Sequence, residues 1–385
     1  MLLIKNAKIY TMNLDVIEKG DILVENGKIK EIKADISSCE SCDIIDASGK
    51  MVFPGFIDAH CHIGMWEEGI GFEGDDGNEM TDPITPQLRA IDAINPMDEA
   101  FENAIKGGVT TAATGPGSAN VIGGTFTVLK LHGKRVDDMV MVENLAMKCA
   151  FGENPKRVYA EKKAMPTTRM GTAAKLRETL AMAAEYNQKK EAAKEDSSKM
   201  PGYDMKLEAM IPVIKGKIPL KAHAHRADDI FTSIRIAKEF NVKLTLEHCT
   251  EGHLIADDLA KEGYPAIVGP TFGNKSKFEL QNKTFDTPKT LVEAGVKIAI
   301  MTDSPVIPLE HLPMCSALAY KAGLDEMEAL KAITINPAEI LGINDRVGSI
   351  EVGKDADLVI WDKHPFDLQA NVEYTIIDGK IAYKK

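Results

Sequence analysis

The stretch ADDIFTSIRIAKEFNVKLTLEHC, residues 227–249, contains a complete helix-to-strand unit. Its first half repeats apolar residues at helical spacing, an asparagine then stops the helix, and an apolar run ends in a histidine. The same order recurs in AFENAIKGGVTTAATG (100–115), LIADDLAKEGYPAIVGP (254–270) and PKTLVEAGVKIAIMTDSP (288–305). Repeated helix–strand units with continuous apolar strands predict parallel strands that are buried on both faces.

The number of these units favours an α/β fold of the (β/α)₈ barrel type. An open doubly wound sheet is the alternative, but no GxGxxG fingerprint stands at a strand-to-helix junction to support it. The two chain ends differ from the middle, because short alternating runs such as GDILVENGKIKEI and VEYTIIDGKIAYKK are typical of strands and hairpins. We expect the two ends to pair into one small β domain.

Composition excludes several classes of protein. The chain has 385 residues and 44% hydrophobic content, which suits a large domain with a smaller satellite. A net charge of -12 and the absence of a basic stripe argue against a nucleic-acid partner. No stretch approaches the roughly 18 apolar residues of a membrane helix, and the first residues lack a signal-peptide pattern. We therefore expect a cytoplasmic protein without a membrane partner.

The six cysteines are scattered along the chain, which predicts reduced thiols. Cys39 and Cys42 form a CxxC, but no second pair accompanies them. This pair is more typical of an exposed loop than of a zinc knuckle.

Histidines and an aspartate follow four of the predicted strands. FPGFIDAHCHIGM ends an apolar strand with His60 and His62, whose side chains share one face. Strand IPLKA is followed by His223, VKLTLE by His248 and VKIAIMT by Asp303. The carboxyl ends of barrel strands meet at one face, and imidazoles and carboxylates are zinc ligands. The sequence therefore predicts a metal site at this face.

The motifs PGFIDAHCH, KAHAH, TLEHC, MTDSP and GSIEVGKDADLVIWD occur in this order. With them the chain resembles the amidohydrolase superfamily of metal-dependent hydrolases, and more narrowly its imidazolonepropionase-like and prolidase-like members, over nearly its full length. The resemblance implies a (β/α)₈ TIM barrel, residues 53–344, beside a small β-sandwich domain built from residues 1–52 plus 345–385. It also implies one or two divalent ions, with Zn²⁺ preferred and Fe²⁺ or Mn²⁺ as alternatives.

The resemblance also implies roles for the strand-end residues. His60 and His62 would bind the more buried ion, and His223 and His248 would bind the second ion or complete a mononuclear site. Asp303 would contact an ion and act as general base and acid on a metal-activated water that cleaves a C–N bond.

The bridging ligand is left open by the sequence. Many relatives use a carboxylated lysine of strand four, and LAMKCAFGENP offers Lys148 there, followed by Glu153. A lysine is expensive to bury as a cation, which favours a modified or metal-bound role for Lys148. Glu153 needs no modification and is the second candidate; without either bridge the site would be mononuclear.

Candidate substrate-binding residues follow the strand ends. His225 shares the face of His223 and is a candidate ligand, ligand support or substrate contact, with substrate contact preferred. Arg226 could clamp a carboxylate, and His253 is a further substrate-binding candidate. The loop after strand one carries seven acids between Glu67 and Asp82, which are either a solvated surface or a wall that attracts cationic substrates. TGPGSANVIGG (114–124) supplies either turn glycines or oxyanion donors.

Three functions are compatible with these residues: a hydrolase of linear or cyclic amides, a mononuclear deaminase of an aminated heterocycle, and a metal-free scaffold. A deaminase would usually place His-x-x-Glu at strand five, but His223 is followed by Ala-His-Arg. Glu251, three residues after His248, keeps that alternative open. The first function is preferred, with a small-molecule substrate and a homo-oligomeric assembly.

Overall fold

The computed structural model of the protein describes residues 1–37 and 42–385. Cys39, one half of the predicted CxxC loop, lies outside the described residues. Cys42, the other half, is disulfide-bonded, so the prediction of reduced thiols is wrong for this residue. The N-terminal strands are β1 (Leu2–Ile9), β2 (Ile17–Glu25), β3 (Lys28–Lys33), β4 (Asp43–Asp46) and β5 (Met51–Pro54). The next eight strands are β6 (Phe56–Cys61), β7 (Val109–Thr114), β8 (Ile122–Lys130), β9 (Val140–Ala150), β10 (Leu220–Ala224), β11 (Leu244–His248), β12 (Ala266–Val268) and β13 (Ile298–Ile300). The C-terminal strands are β14 (Leu358–Trp361), β15 (Val372–Ile377) and β16 (Lys380–Lys384).

Helices lie mainly between the middle strands. They are α1 (Glu99–Lys106), α2 (Val136–Met139), α3 (Glu153–Glu161), α4 (Arg169–Ala192), α5 (Met205–Ile214), α6 (Ala227–Phe240), α7 (Ala256–Glu262), α8 (Thr287–Glu293), α9 (Leu312–Lys321), α10 (Glu326–Lys331) and α11 (Ile335–Leu341). Within the described residues, no helix is both long enough and apolar enough to cross a bilayer.

Strands from the two chain ends form one hydrogen-bonded sheet, in the order β16-β15-β14-β5-β1-β2-β3. Strand β1 pairs with β4 along its first half and with β5 further on. The sheet has its own apolar core, in which Ile4 and Ile22 from the N-terminal part meet Ile360 and Ile376 from the C-terminal part. The predicted pairing of the two ends is therefore confirmed.

The middle strands form a second sheet whose order, β6 through β13, follows the chain. Strand β13 lies beside β6, so the sheet is a nearly closed barrel. Asp58 of β6 joins the two edges, because its Oδ2 accepts hydrogen bonds from the Thr302 amide (2.9 Å) and hydroxyl (2.6 Å). The amide of His62 donates to the Ser304 carbonyl at 2.8 Å. The predicted α/β barrel is confirmed, and its closure brings the ends of β6 and β13 together.

One barrel strand departs from the expected parallel arrangement. Strand β8 pairs antiparallel with both β7 and β9. The short segment 115–121 joins β7 to β8, whereas a parallel return requires a crossover of about a dozen residues or more. The amides of Gly117 and Ala119 in this segment donate to Gly77 O and Asn78 Oδ1. The segment therefore acts as a turn, and these two amides are not free to bind an oxyanion.

Candidate metal centre

The first group of candidate ligands lies at the carboxyl end of β6. His60 belongs to this strand and His62 follows it on the same side. Asp303 follows β13, and its Oδ1 lies 3.1 Å from His62 Nε2 and 3.6 Å from His60 Nε2. One ligand atom from each of the three residues lies within 4.8 Å of the other two. The structure thus brings three of the predicted ligands together.

The second group consists of His223, His225 and His248, whose ligand atoms also lie within 4.8 Å of one another. The His248 ring centroid is 4.3 Å from that of His223, 4.5 Å from that of His225 and 5.5 Å from that of His60. The two groups therefore adjoin. His225 contributes to the second group as fully as the other two rings, which favours the ligand alternative over the preferred substrate contact.

Four of the five imidazoles hold Nδ1 against an oxygen and turn Nε2 inward. The contacts are His60 to Glu247 Oε2 (2.6 Å), His62 to Gly115 O (2.7 Å), His225 to Thr250 Oγ1 (2.7 Å) and His248 to Gly269 O (2.8 Å). An imidazole that donates from Nδ1 keeps the lone pair of Nε2 for a cation. Burial lowers the pKa well below its ordinary value for His60, His223, His225 and His248. These rings are accordingly neutral, as metal ligands must be.

Three buried polar atoms next to the second group have no hydrogen-bond partner: His223 Nδ1, Glu279 Oε1 and Asn154 Oδ1. Glu279 is 1% exposed, and its Oε1 lies 3.7 Å from His225 Nε2 and 3.9 Å from His223 Nε2. The Lys277 ammonium lies 3.6 Å from the same oxygen, so Glu279 Oε1 has a counter-charge close by but no hydrogen bond. This donor set of imidazoles and carboxylates fits a divalent transition ion.

Lys148 of β9 lies next to both groups. It is fully buried, and its Nζ lies 3.1 Å from His60 Nε2 and 5.5 Å from the centre of the Phe126 ring. Among the described residues, no carboxylate lies within ion-pair distance of this amine. Burial lowers the pKa of Lys148 to about 8, so the neutral amine is readily available. Glu153, the other candidate bridge, is the first residue of α3 and belongs to neither ligand group.

A cavity of about 400 Å³ opens onto both ligand groups. Its lining includes His62, His223, His225, His248 and Asp303. Trp66, Phe272 and Ile307 add apolar surface, and Ser118 and Asn154 add polar groups. A cavity of this size accommodates a small molecule whose reacting bond lies against the candidate ligands.

Comparison with known proteins agrees with this geometry. A model of the amidohydrolase family matches residues 205–382. The crystal structure of an amidohydrolase from Thermotoga maritima MSB8 matches with a TM-score of 0.97 and 46% sequence identity, covering 100% of both chains. The chain belongs to the amidohydrolase family. Enzymes of this family are metal-dependent hydrolases of C–N bonds, so the predicted enzyme class is confirmed.

Two curated relatives differ in how much of their length this amidohydrolase covers. Amidohydrolase tasK of Hapsidospora irregularis is 31% identical over 94% of this chain, but the chain spans only 39% of that protein. The 5'-deoxyadenosine deaminase of Methanobrevibacter smithii is 27% identical over 99% of this chain and 92% of its own length.

Two predicted substrate-binding residues of the amidohydrolase are not brought to the cavity. The Arg226 guanidinium donates to Asp228 at 3.0 and 2.9 Å, and it does not line the cavity. His253 lies in a turn, where its Nδ1 contacts Thr287 Oγ1 at 3.0 Å. Both side chains are thus occupied by partners outside the site.

Two acidic residues of the site are absent from the sequence-based predictions. Glu247 directly precedes His248 in β11, and its Oε2 contacts His60 Nδ1 and accepts a 2.8 Å hydrogen bond from the buried Lys221. Lys221 and Glu247 are charged residues within the apolar strands IPLKA and VKLTLE, and this feature of the sequence could have indicated their pairing. Glu279 lies in a loop after β12, where no spacing or motif marks it.

Replacing Glu247 with glutamine is expected to weaken metal binding by about 10- to 100-fold. The amide is a poorer acceptor for His60 Nδ1–H and leaves the Lys221 ammonium buried without a counter-charge. Competition with a chromogenic chelator would measure the affinity, and thermal unfolding of the metal-free protein would register general destabilisation. Glu251→Gln is the matched control at the same barrel end, and its affinity should equal that of the wild type. An unchanged metal affinity in Glu247→Gln would show that the contact between Glu247 and His60 does not contribute to metal binding.

Proposed function

We propose that the protein is a binuclear hydrolase that cleaves a linear or cyclic amide C–N bond in a small polar substrate. The observation that carries this proposal is the presence of two adjoining three-ligand groups at the floor of one cavity. His60, His62 and Asp303 would hold one ion, and His223, His225 and His248 would hold the other. The ions would supply Lewis acidity toward water and the scissile carbonyl.

Lys148 is proposed as the bridge between the two groups. Its neutral amine would add to CO₂ and lose a proton, giving a carbamate whose two oxygens can reach two cations. Burial without a carboxylate at ion-pair distance supports this role, because it disfavours the ammonium form and lowers the pKa of Lys148 even though Asp303 and Glu247 act in the opposite direction.

Asp303 is proposed as the general base and acid. Its Oδ1 lies between the inward nitrogens of His60 and His62, and its side chain, 13% exposed, lines the cavity. A carboxylate in this place can take a proton from water and return it to the leaving nitrogen. The imidazoles are poorer candidates for this role, because Nδ1 of His60, His62, His225 and His248 already contacts an oxygen and Nε2 would be occupied by an ion.

Deamination is the second candidate, since a deaminase is among the full-length relatives. The arrangement of Glu251 argues against it. One carboxylate oxygen of Glu251 accepts from the Ala227 amide at 2.8 Å, and the other accepts from Asn282 Nδ2 at 2.9 Å. A glutamate held in this way is not free to shuttle protons to a substrate.

The proposal extends to the metal, the assembly and the domain limits. Imidazole-rich sites favour Zn²⁺, with Fe²⁺ or Mn²⁺ as alternatives. The cytoplasmic location expected from the sequence is kept as part of the proposal; the buried thiols of Cys61, Cys149, Cys249 and Cys315 are free, whereas Cys42 is disulfide-bonded. A homo-oligomer without nucleic acid, and domains of residues 1–52 plus 345–385 and 53–344, complete the proposal. Sedimentation velocity would test the assembly.

Metal removal tests the proposed function. We expect about two ions per chain by elemental analysis, with hydrolysis abolished by a strong chelator and restored by stoichiometric Zn²⁺. The panel would contain N-acyl amino acids, dipeptides and cyclic amides, scored by amine release or ring opening, and aminated heterocycles, scored by ammonia release. Ammonia release alone would establish the deaminase. A protein that binds no ion and cleaves nothing would be a scaffold.

A further inference from the structure

The segment 270–283, here called the lysine loop, forms one wall of the cavity. It follows β12 and contributes Phe272, Lys277, Leu280 and Lys283 to the lining. Two lysines thus face a cavity whose lining contains a single acidic residue among the described residues, Asp303. Asp303 already lies against the inward nitrogens of the first ligand group.

Lys277 is the lysine next to the candidate ligands. Its side chain is 23% exposed, and its Nζ lies 3.6 Å from Glu279 Oε1, which in turn lies 3.7 Å from His225 Nε2. Glu279 Oε1 thus lies between the Lys277 ammonium and the second ligand group. Within the described part of the chain, Lys277 Nζ donates no hydrogen bond, so apart from the 3.6 Å ion pair with Glu279 its N–H groups are available to a molecule in the cavity.

The other lysines of the loop have different partners. Lys283 Nζ donates to Gly273 O at 2.8 Å and Asn274 O at 3.0 Å, which braces the loop. Lys275 is exposed, donates to Gln281 O at 2.6 Å and does not line the cavity. Lys277 is therefore distinguished from its neighbours by its free donors.

The opposite wall does not offset this positive charge. Only Trp66 and Asn78 of the acidic loop line the cavity. Glu67 in that loop accepts from Asn95 Nδ2 at 2.6 Å, and Asp82 pairs with Lys206. None of the seven acids of this loop lines the cavity, so the hypothesis of a wall that attracts cations gains no support from their positions.

We propose that Lys277 is a specificity-determining residue that binds a carboxylate on the substrate, so that the preferred substrates are small amides bearing an anionic group. This inference rests on the proposed hydrolytic function of the same cavity. Glu279 positions the Lys277 ammonium, and Phe272, Leu280 and Ile307 leave room for an apolar group of modest size.

The inference predicts a preference that depends on one side chain. The probes are a panel of N-acetyl amino acids with different side chains and their primary amides, which lack the negative charge. On the metal-loaded protein, calorimetry and hydrolysis rates should both favour the carboxylates. Lys277→Met should reduce the carboxylate-to-amide preference by about 10- to 100-fold, since a hydrogen bond to a charged group carries that discrimination. Lys277→Arg should retain most of it, and Lys275→Met all of it.

Each result decides the inference. Equal binding of acids and amides by the wild type, or no binding of any probe, would overturn it. If Lys277→Met still preferred carboxylates over amides, the inference would also be overturned, and the substrate carboxylate would be bound by the metal ions. Lys277-dependent binding without cleavage of any probe would support the inference and contradict the proposed hydrolysis, so the two failures are distinguishable.

Discussion

An Asp303→Asn variant is expected to lose about 10²- to 10⁴-fold in kcat while it remains folded. Asparagine keeps the size of the side chain and tolerates the left-handed backbone at this position, where φ is +55°. It cannot accept the proton of the attacking water. Steady-state kinetics on the best amide of the panel, with metal content measured on the same sample, would determine the effect.

The matched control for this variant is Glu251→Gln, since Glu251 lies at the same barrel end but is held by Ala227 and Asn282. Its kcat should stay near the wild-type value. If Glu251→Gln were the inactive variant and Asp303→Asn kept most of its activity, the proton shuttle would be Glu251 and the deaminase would be favoured. Loss of one ion from Asp303→Asn would show that the carboxylate is a ligand as well as a base.

The candidate ligands were predictable because strand geometry is regular. Residues at i and i+2 share a face, which places His60 with His62 and His223 with His225. The carboxyl ends of neighbouring barrel strands meet, which brings His248 and Asp303 to the same place. His225 shows where this argument ends. It lies just beyond β10, and strand periodicity alone does not separate a third ligand from a substrate contact.

Side chains beyond the strand ends were not predictable in the same way. Arg226 and His253 both follow candidate ligands in the sequence, yet their side chains contact residues outside the cavity. Arg226 contacts Asp228, and His253 contacts Thr287. Loop conformation determines these directions, and no periodicity describes a loop. Lys277 was not predicted for the same reason. It lies in a loop, 29 residues after His248, the preceding strand-end ligand.

The antiparallel direction of β8 could not be predicted from the pattern of apolar residues in the strands either. A buried strand has the same apolar run whether its neighbours are parallel or antiparallel. The distinguishing feature is the length of the connection, and the glycines of residues 114–124 suggest a turn without specifying which strands it joins. The fold class was therefore predictable from the repeated units, whereas this local reversal required the pairing itself.

A Lys148→Met variant is expected to lose one bound ion and at least about 100-fold in kcat, since the loss of an outer contact to a ligand already costs 10- to 100-fold. Methionine fills a similar volume in the buried strand without a nitrogen that can react with CO₂. Elemental analysis would give the ion count, and kinetics would give the rate. Lys221→Met is the control, since it removes another buried lysine from a neighbouring strand. This variant should keep both ions, and its effect should come from a weaker contact between Glu247 and His60.

Carbon dioxide separates a bridging carbamate from a plain amine. Metal-free wild-type protein reloaded with Zn²⁺ in bicarbonate should regain activity and the second ion, and its intact mass should rise by that of one CO₂. Reloading in CO₂-free buffer should restore neither, because the unmodified amine offers a single nitrogen, whereas a carbamate would offer two oxygens as ligands. Lys148→Met should not respond to bicarbonate. If the wild type regained full activity without CO₂, Lys148 would act unmodified, and the two ligand groups would hold their ions without a bridge.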